Sequence, residues 1–213
     1  MKTNRFVVML MVFSYLLSLI AIPYLPDEVA IHWNLAGEAD GYSSKWFGAF
    51  ILPLAMTWCL LLMTLLPKMD PEKANDEKFK GSYNMLINVF ALFFIAFHVI
   101  TLAYNLGFPV DVGLFVPIGV GVLFIVLGNY MPKFKRNYFV GIRTPWTLES
   151  ETVWDKTHRI GRKVFVLMGF ALMLTVFIEG IWNFILFLAI TLGGVLYLFV
   201  KSYLYFREEQ RKV

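Results

Sequence analysis

The sequence predicts an all-α integral membrane protein. We expect a bundle of about six transmembrane helices with both termini in the cytoplasm, a short ordered outer loop and a cytoplasmic amphipathic segment. Composition is the first indication: 59% of the 213 residues are hydrophobic and 16% are charged, whereas soluble domains carry roughly a quarter charged residues. The second is that the apolar residues fall in long blocks, since a spanning helix needs about 20 of them. The third is the distribution of basic residues over the loops.

Five apolar blocks are visible, and the last of them, 164–206, is too long for one span. Glu179 and Gly180 interrupt it with a charge and a flexible residue, so we interpret it as a tight hairpin of two helices. The fifth span is then short, and we expect it to take residues from the preceding segment. The predicted spans are 6–25, 47–66, 84–106, 113–131, 164–179 and 182–204.

Lysine and arginine gather in the loops of one side. Of the 19 basic residues, 18 fall in the N-terminus, the second and fourth loops and the C-terminal tail, and only Lys45 falls in an outer loop. Cytoplasmic loops carry this excess, so both ends are predicted inside. Topology and contact with anionic lipid headgroups therefore explain the pI near 9.1, and no direct binding of nucleic acid is expected.

Along the chain we expect three units. Residues 1–66 form an N-terminal two-helix unit with an outer loop at 26–46, and residues 67–131 form a central two-helix unit. Residues 132–213 form a cytoplasmic loop followed by a C-terminal helical hairpin. The first apolar stretch is long for a signal peptide and is expected to be retained as a helix.

A polar stripe marks the third span. Asn84, Asn88, His98 and Asn105 fall within an arc of about 100° on a helix. They either join helices by hydrogen bonds or line a small polar cavity that binds a ligand or passes protons. The span has no carboxylate to complete a proton relay, which favours the first interpretation.

Small residues in the fourth and sixth spans indicate close helix packing more than a substrate site between broken helices. These residues are Gly113, Pro117, Gly119, Gly121, Gly128, Gly193 and Gly194.

The outer loop holds an unusual density of turn formers. Val29 and Ile31 alternate with polar residues, which predicts a short extended piece after Pro26. Turns are expected at 34–37 and at 40–41. The loop is either a ligand-recognition element or an ordered cap of the bundle. The outer face is also acidic and would attract a cationic peptide, through Asp27, Glu28, Glu38, Asp40, Asp111 and Glu179.

The inner loop, 132–163, holds a helix-start signal at Thr144 and Pro145. Trp146 and Trp154 would lay the helix that begins there along the inner leaflet. Alternatively, the segment is a docking platform for a cytoplasmic partner, with Arg143 and the two tryptophans as anchors.

Catalysis finds little support. The sequence lacks the common zinc, thiol, nucleophile-elbow and phosphate-loop motifs. The three histidines, His32, His98 and His158, are predicted at three different depths, so they cannot share a metal. We therefore expect no enzyme activity, no metal and no cofactor. An enzyme that uses His32 and Asp40 at the outer surface is the least favoured alternative.

Each of the two loops carries a spaced motif. The outer pattern consists of Pro26, His32, Trp33, Asn34, Gly37, Asp40 and Gly41. The inner one consists of Gly141, Arg143, Thr144, Pro145, Trp146, Thr147, Glu151 and Trp154. The outer pattern resembles an N-terminal domain of unknown function found in small bacterial membrane proteins. The inner pattern resembles the signature of the immunity family for the sporulation-delaying-protein (SDP) toxin.

This resemblance implies a multi-pass immunity protein of the bacterial cytoplasmic membrane that protects against a secreted peptide toxin. It also implies a toxin-responsive receptor that captures a cytoplasmic transcriptional repressor. The outer motif would then bind ligand and the inner motif would dock the partner. The alternative is a small transporter or exporter that uses Asn84, Asn88 and His98.

Overall fold

The computed structural model describes residues 4–34, 36–69, 73–178 and 180–212, and only the backbone of residues 68, 69 and 73–79. Within these ranges it contains seven α-helices and one two-stranded sheet. The helices are α1 (Arg5–Ala21), α2 (Lys45–Leu65), α3 (Lys73–Asn105), α4 (Val112–Tyr130), α5 (Pro145–Glu149), α6 (Glu151–Leu174) and α7 (Ile181–Gln210). The strands are β1 (Glu28–Trp33) and β2 (Ala39–Ser44).

The prediction of six spans is confirmed, since every helix except α5 is long and apolar enough to cross a bilayer. An even number of crossings places both ends on one side. The fifth span takes residues from the segment before it, as expected, because α6 begins at Glu151. The break before α7 is also present: Gly180 has a φ of 64°, and Glu179 lies outside the described residues.

Short polar side chains set where the spanning helices begin. The side chains of Asn4, Ser44, Asp111 and Ser150 each accept a hydrogen bond from a backbone N–H in the first turn of the helix that follows. A helix leaves its first four N–H groups without helical partners, and such a cap contributes about 1 kcal/mol. The residues at which α1, α2, α4 and α6 begin are therefore set by the local sequence.

The helices pack as two groups. In the first, α1, α2 and α3 contact one another, and in the second α6 lies between α4 and α7. Contact between α3 and α4 joins the groups. These contacts cross the predicted unit boundaries at 66 and 131, because α3 belongs with α1 and α2, and α4 belongs with α6. The least buried of the spans is α7.

Glycines bring α4 and α6 into backbone contact. A Cβ on Gly121 would lie 2.6 Å from the carbonyl oxygen of Gly169, and one on Gly128 would lie 3.0 Å from that of Arg162. Close packing through small residues, predicted for the fourth span, is confirmed at these two positions. In α7, Gly194 packs against the Met168 sulfur, whereas a Cβ on Gly193 would meet open space.

The predicted helical fold class is confirmed, and the ordered outer loop adds one small sheet to it. The extended piece predicted after Pro26 is present as β1, but it pairs with a second, antiparallel strand, β2, that the sequence did not predict. The register runs from Glu28 opposite Ser44 to Trp33 opposite Ala39, with irregularities on both sides of His32. Burial of Val29 and Ala30 holds this hairpin on the helix ends.

Gly121→Ala is expected to destabilise the protein by about 1–3 kcal/mol, because its methyl group would force α4 and α6 apart. Thermal unfolding in detergent, followed by size-exclusion chromatography, measures the change. Gly193→Ala is the matched control and should be neutral or slightly stabilising. Equal stability of the two variants would contradict this account of helix packing.

Candidate functional site

The outer hairpin is internally ordered by its polar residues. His32 Nδ1 lies 2.5 Å from Asp40 Oδ1 across the two strands. Asn34 shapes the turn, because its side-chain oxygen accepts hydrogen bonds from the backbone N–H groups of Ala36 and Glu38. Gly41 faces His32, where an added Cβ would lie 2.9 Å from the His32 Cβ. The predicted outer residues therefore build one compact unit.

The hairpin is also fixed to the bundle at three places. Asn105 of α3 accepts a hydrogen bond from the Ala30 N–H (2.7 Å) and donates one to the Ala30 carbonyl (3.0 Å). The Trp33 indole packs edge-on against Tyr104, with ring centroids 5.2 Å apart. A Cβ built on Gly37, at the turn, would lie 3.3 Å from the Gly113 backbone of α4. The turn and the start of α4 are in direct contact.

Two adjoining cavities, of about 280 and 610 Å³, form a groove where the hairpin turn meets the outer ends of α4 and α7. We call it the outer groove. The smaller cavity is largely apolar, and the larger has a more polar wall. The smaller is lined by Trp33, Asn34, Gly37, Val112, Gly113, Val116, Pro117, Asn183, Phe184 and Phe187. The larger is lined by Ala36, Gly37, Asp111, Gly113, Leu114, Val176, Ile178, Gly180 and Asn183.

One acidic side chain among the described lining residues, Asp111, lies at the mouth of this groove. Asp111 is exposed, and one of its oxygens caps α4 by accepting a hydrogen bond from the Leu114 N–H. Lys45 is held by Asp27 at 2.8 Å, and the hydrogen bond and charge of Lys45 lower the pKa of that carboxyl. The outer-loop lysine is thus engaged at the base of the hairpin, and the groove mouth carries acidic character.

Three of the predicted outer residues line the groove: Trp33, Asn34 and Gly37. His32, Asp40 and Gly41 instead support the hairpin behind it. The sequence did not connect this loop with the opposite wall, which comes from Val116, Asn183, Phe184 and Phe187. Except for Asn183, these residues are apolar, and in the sequence an apolar residue near a helix end looks the same whether it faces lipid or a groove.

The intramembrane polar stripe is occupied by hydrogen bonds between elements. Asn4 of the α1 cap donates to Asn88 at 2.5 Å, and His98 Nε2 lies 3.1 Å from Ser18 Oγ of α1. Asn105 holds Ala30 of the hairpin, and Asn84 is half-buried on the same helix. These contacts support the interpretation that the stripe joins helices.

The inner segment, residues 134–150, folds around two rings of α6. Trp154 is fully buried, donates its indole N–H to the Phe134 carbonyl (2.8 Å) and stacks on His158, with ring centroids 4.1 Å apart. His158 Nε2 accepts the Ile142 N–H at 3.0 Å, so its Nδ1 carries the proton and donates to the Trp154 carbonyl. Gly141 has a φ of 115° and lies directly over both rings.

Side-chain caps hold the rest of the inner segment. The Asn137 oxygen accepts the N–H groups of Phe139 and Val140. Thr144 and Thr147 form a reciprocal cap at the start of α5. Asn137 was not among the predicted site residues, although an Asn that bonds to the backbone two and three residues later is a common turn signal.

The inner segment also holds the cytoplasmic end of α7. Thr144 Oγ1 donates to Ser202 Oγ at 3.0 Å. The Trp146 ring packs against Phe199 and Tyr203, with centroids 5.0 and 4.9 Å away. Because α7 has few other buried residues, these contacts are a large part of what positions it.

The predicted docking residues therefore separate into two sets. Trp154, Thr144 and Thr147 are buried, so they are internal supports and cannot anchor a partner at this surface. Trp146 is half-buried against α7, while Gly141, Arg143, Pro145 and Glu151 are exposed.

The helix predicted along the inner leaflet is also corrected. It begins at Pro145 but ends at Glu149, and Ser150 caps a separate helix, α6, which forms the fifth span. Trp154 lies in the first turn of that span, three residues after Glu151, and is buried inside the protein.

Within the part of the chain that the structure describes, no three His, Cys, Asp or Glu residues are grouped in a way that could hold a metal ion. His32 lies on the hairpin, His98 beside α1 and His158 under the inner segment.

Comparisons with known proteins agree with both motif resemblances. Residues 133–201 match the SdpI/YfhL protein family, and residues 9–57 match a domain of unknown function, DUF1648. The chain is 32% identical over 208 residues to Immunity protein SdpI of Bacillus subtilis (strain 168), covering 98% of both chains. Neither description is that of an enzyme family. No solved structure matches the chain significantly. With its six spans, the chain is a multi-pass cell-membrane protein and belongs to the SdpI family of immunity proteins.

Proposed function

We propose that this protein protects a bacterial cell from a secreted, SDP-like peptide toxin by binding the peptide in the outer groove. Family membership supports the protective role. The observation that carries the site assignment is the groove itself, because one of its walls is the turn of the outer motif and the others are helix ends. The mechanism that we propose is binding without catalysis.

The chemistry of the outer groove suits an apolar peptide with a cationic group. Val116, Pro117, Phe184 and Phe187 offer an apolar surface at the smaller cavity, and burial of apolar area is the main source of affinity in such pockets. Asp111 at the mouth would attract positive charge. A peptide held there is kept at the outer surface and has less tendency to insert into the bilayer.

Val116→Phe is expected to reduce protection, because the larger ring fills the smaller cavity. Wild-type protein, Val116→Phe and an empty vector are expressed in toxin-sensitive cells, and survival is measured over a range of SDP toxin concentrations. We expect the toxin concentration at which half of the cells survive to fall about tenfold, which corresponds to about 1.4 kcal/mol of binding free energy. Wild-type survival no better than the empty vector would reject the immunity proposal for this toxin.

Val122→Phe is the matched control for that experiment. Val122 lies on the same helix and is 47% exposed, with its side chain outside the groove. It should protect as well as wild type, provided that both variants reach the membrane in equal amounts. Full protection by Val116→Phe would reject the groove as the binding site while leaving immunity intact.

His98→Leu distinguishes this proposal from a transporter. Because His98 contacts Ser18 within the bundle, its loss should lower the unfolding temperature while protection persists in cells with normal expression. A transport pathway through the stripe instead requires the imidazole, so complete loss of protection by a correctly inserted, folded variant would favour the transporter alternative.

We also propose that the exposed part of the inner segment docks a soluble transcriptional repressor when toxin is bound. Arg143, Pro145 and Glu151 would form the contact surface, with Trp146 at its edge. The helix α7 offers a physical link, because its outer end lines the groove through Phe184 and Phe187. Its inner end is bonded to Thr144. A shift of α7 caused by the peptide would thus reach the docking surface.

Gly141→Ala is expected to abolish repressor capture while leaving protection largely intact. An added Cβ would clash with His158 and Trp154 at a φ that L-residues disfavour, which should destabilise the inner segment by about 1–3 kcal/mol. Partition of the repressor to membranes, with and without toxin, is the measurement. Gly107→Ala, at a φ of 85° but with open space around it, controls for backbone strain, and capture by both variants would contradict the proposal.

A further inference from the structure

A separate cavity of about 410 Å³ lies toward the cytoplasmic side, between the two helix groups. We call it the inner cavity. Its wall is drawn from the inner ends of α2 and α3, from α4 and α6, and from the inner segment. Representative lining residues are Leu62, Tyr83, Phe90, Leu127, Phe134 and Phe165. Neither the immunity proposal nor the docking proposal uses this cavity.

The wall of the inner cavity is apolar and therefore favours an apolar occupant. The Tyr83 hydroxyl is turned into the protein, where it donates to the Met63 carbonyl. The remaining lining side chains are aliphatic, aromatic or sulfur-containing. An empty cavity costs its lining residues their dispersion contacts, and a volume of this size is within the range of ligand pockets. Two lining residues, Leu62 and Leu66, are 38% and 40% exposed, so the cavity reaches the protein surface, where an acyl chain can enter it.

Charge around the inner cavity selects the headgroup of that occupant. Eight charged residues lie within three positions of a lining residue, and every one is Lys or Arg. Lys133 and Lys135 lie on either side of Phe134, which is itself part of the wall. The others are Lys80, Arg136, Arg143, Arg162 and Lys163, together with Lys68, whose side chain lies outside the described part of the structure. Basic residues next to the lining positions of an apolar cavity at the cytoplasmic side complement an anionic phospholipid.

We propose that the inner cavity holds an acyl chain of an anionic phospholipid from the cytoplasmic leaflet, with its phosphate bound by Lys133 and Lys135. The lipid fills the space between the two helix groups, whose direct contact is between α3 and α4. It also braces the inner segment, because residues 139–142 form part of the cavity wall. The site is independent of the toxin and would be occupied in the resting protein.

The test uses the full-length protein, purified in mild detergent and stripped of lipid, with native mass spectrometry as the readout. The probes are phosphatidylglycerol and phosphatidylcholine of identical acyl chains. We expect one phosphatidylglycerol per chain, retained about tenfold more tightly than phosphatidylcholine, because the two lysines attract the anionic headgroup. Equal retention of the two lipids, or a retained mass of a free fatty acid, would overturn the proposal.

Two pairs of variants locate the site. Leu62→Trp should lower lipid retention at least about tenfold by filling the cavity. Leu61→Trp, the neighbouring position of similar exposure that does not line the cavity, should retain lipid normally. Lys133→Gln with Lys135→Gln should remove the preference for phosphatidylglycerol. Lys156→Gln with Lys201→Gln, an equal loss of charge elsewhere on the inner side, should keep it. Matching behaviour within either pair would overturn the assignment.

Discussion

The buried contact between Trp154 and His158 is the interaction on which the cytoplasmic half of the molecule depends. The indole N–H of Trp154 donates to the Phe134 carbonyl, and the imidazole of His158 accepts the Ile142 N–H. These two hydrogen bonds hold the inner segment in place, although it contains neither a strand nor a long helix. Buried backbone groups without partners are costly, and here two rings of α6 supply those partners. The same loop then holds α7 through Thr144 and Trp146.

In the outer half, the backbone groups of the loop find their hydrogen-bond partners in a different way. The loop pairs its own backbone groups by forming a hairpin, and Asn105 of α3 bonds both backbone groups of the buried Ala30. Contact between Gly37 and Gly113 then brings the turn beside α4. The groove follows from this arrangement, since its walls are a turn and two helix ends that no single element could provide. The α7 helix lines the outer groove at one end and is bonded to Thr144 at the other. In the proposed function it would connect a ligand outside with a docking surface inside.

Prediction from the sequence succeeded where the governing physics is local. Long apolar blocks gave the six spans, and Thr144 followed by Pro145 gave the start of α5. The prediction that Trp154 lies at a surface was wrong, because an amphipathic pattern does not distinguish a face against lipid from a face against the protein. The second strand was also missed, since 39–44 is polar and glycine-containing and becomes a strand only by pairing with β1.

The sequence by itself determined the number of spans, the side on which each loop lies and the two loop motifs, because hydropathy, charge and motif spacing are properties of contiguous residues. Tertiary structure alone decided which motif residues face outward, which polar groups are satisfied and where the cavities lie. Those properties depend on pairs that are far apart in the chain, such as Ala30 with Asn105 and Thr144 with Ser202. Such pairs form only when whole helices pack, so no local sequence pattern predicts them.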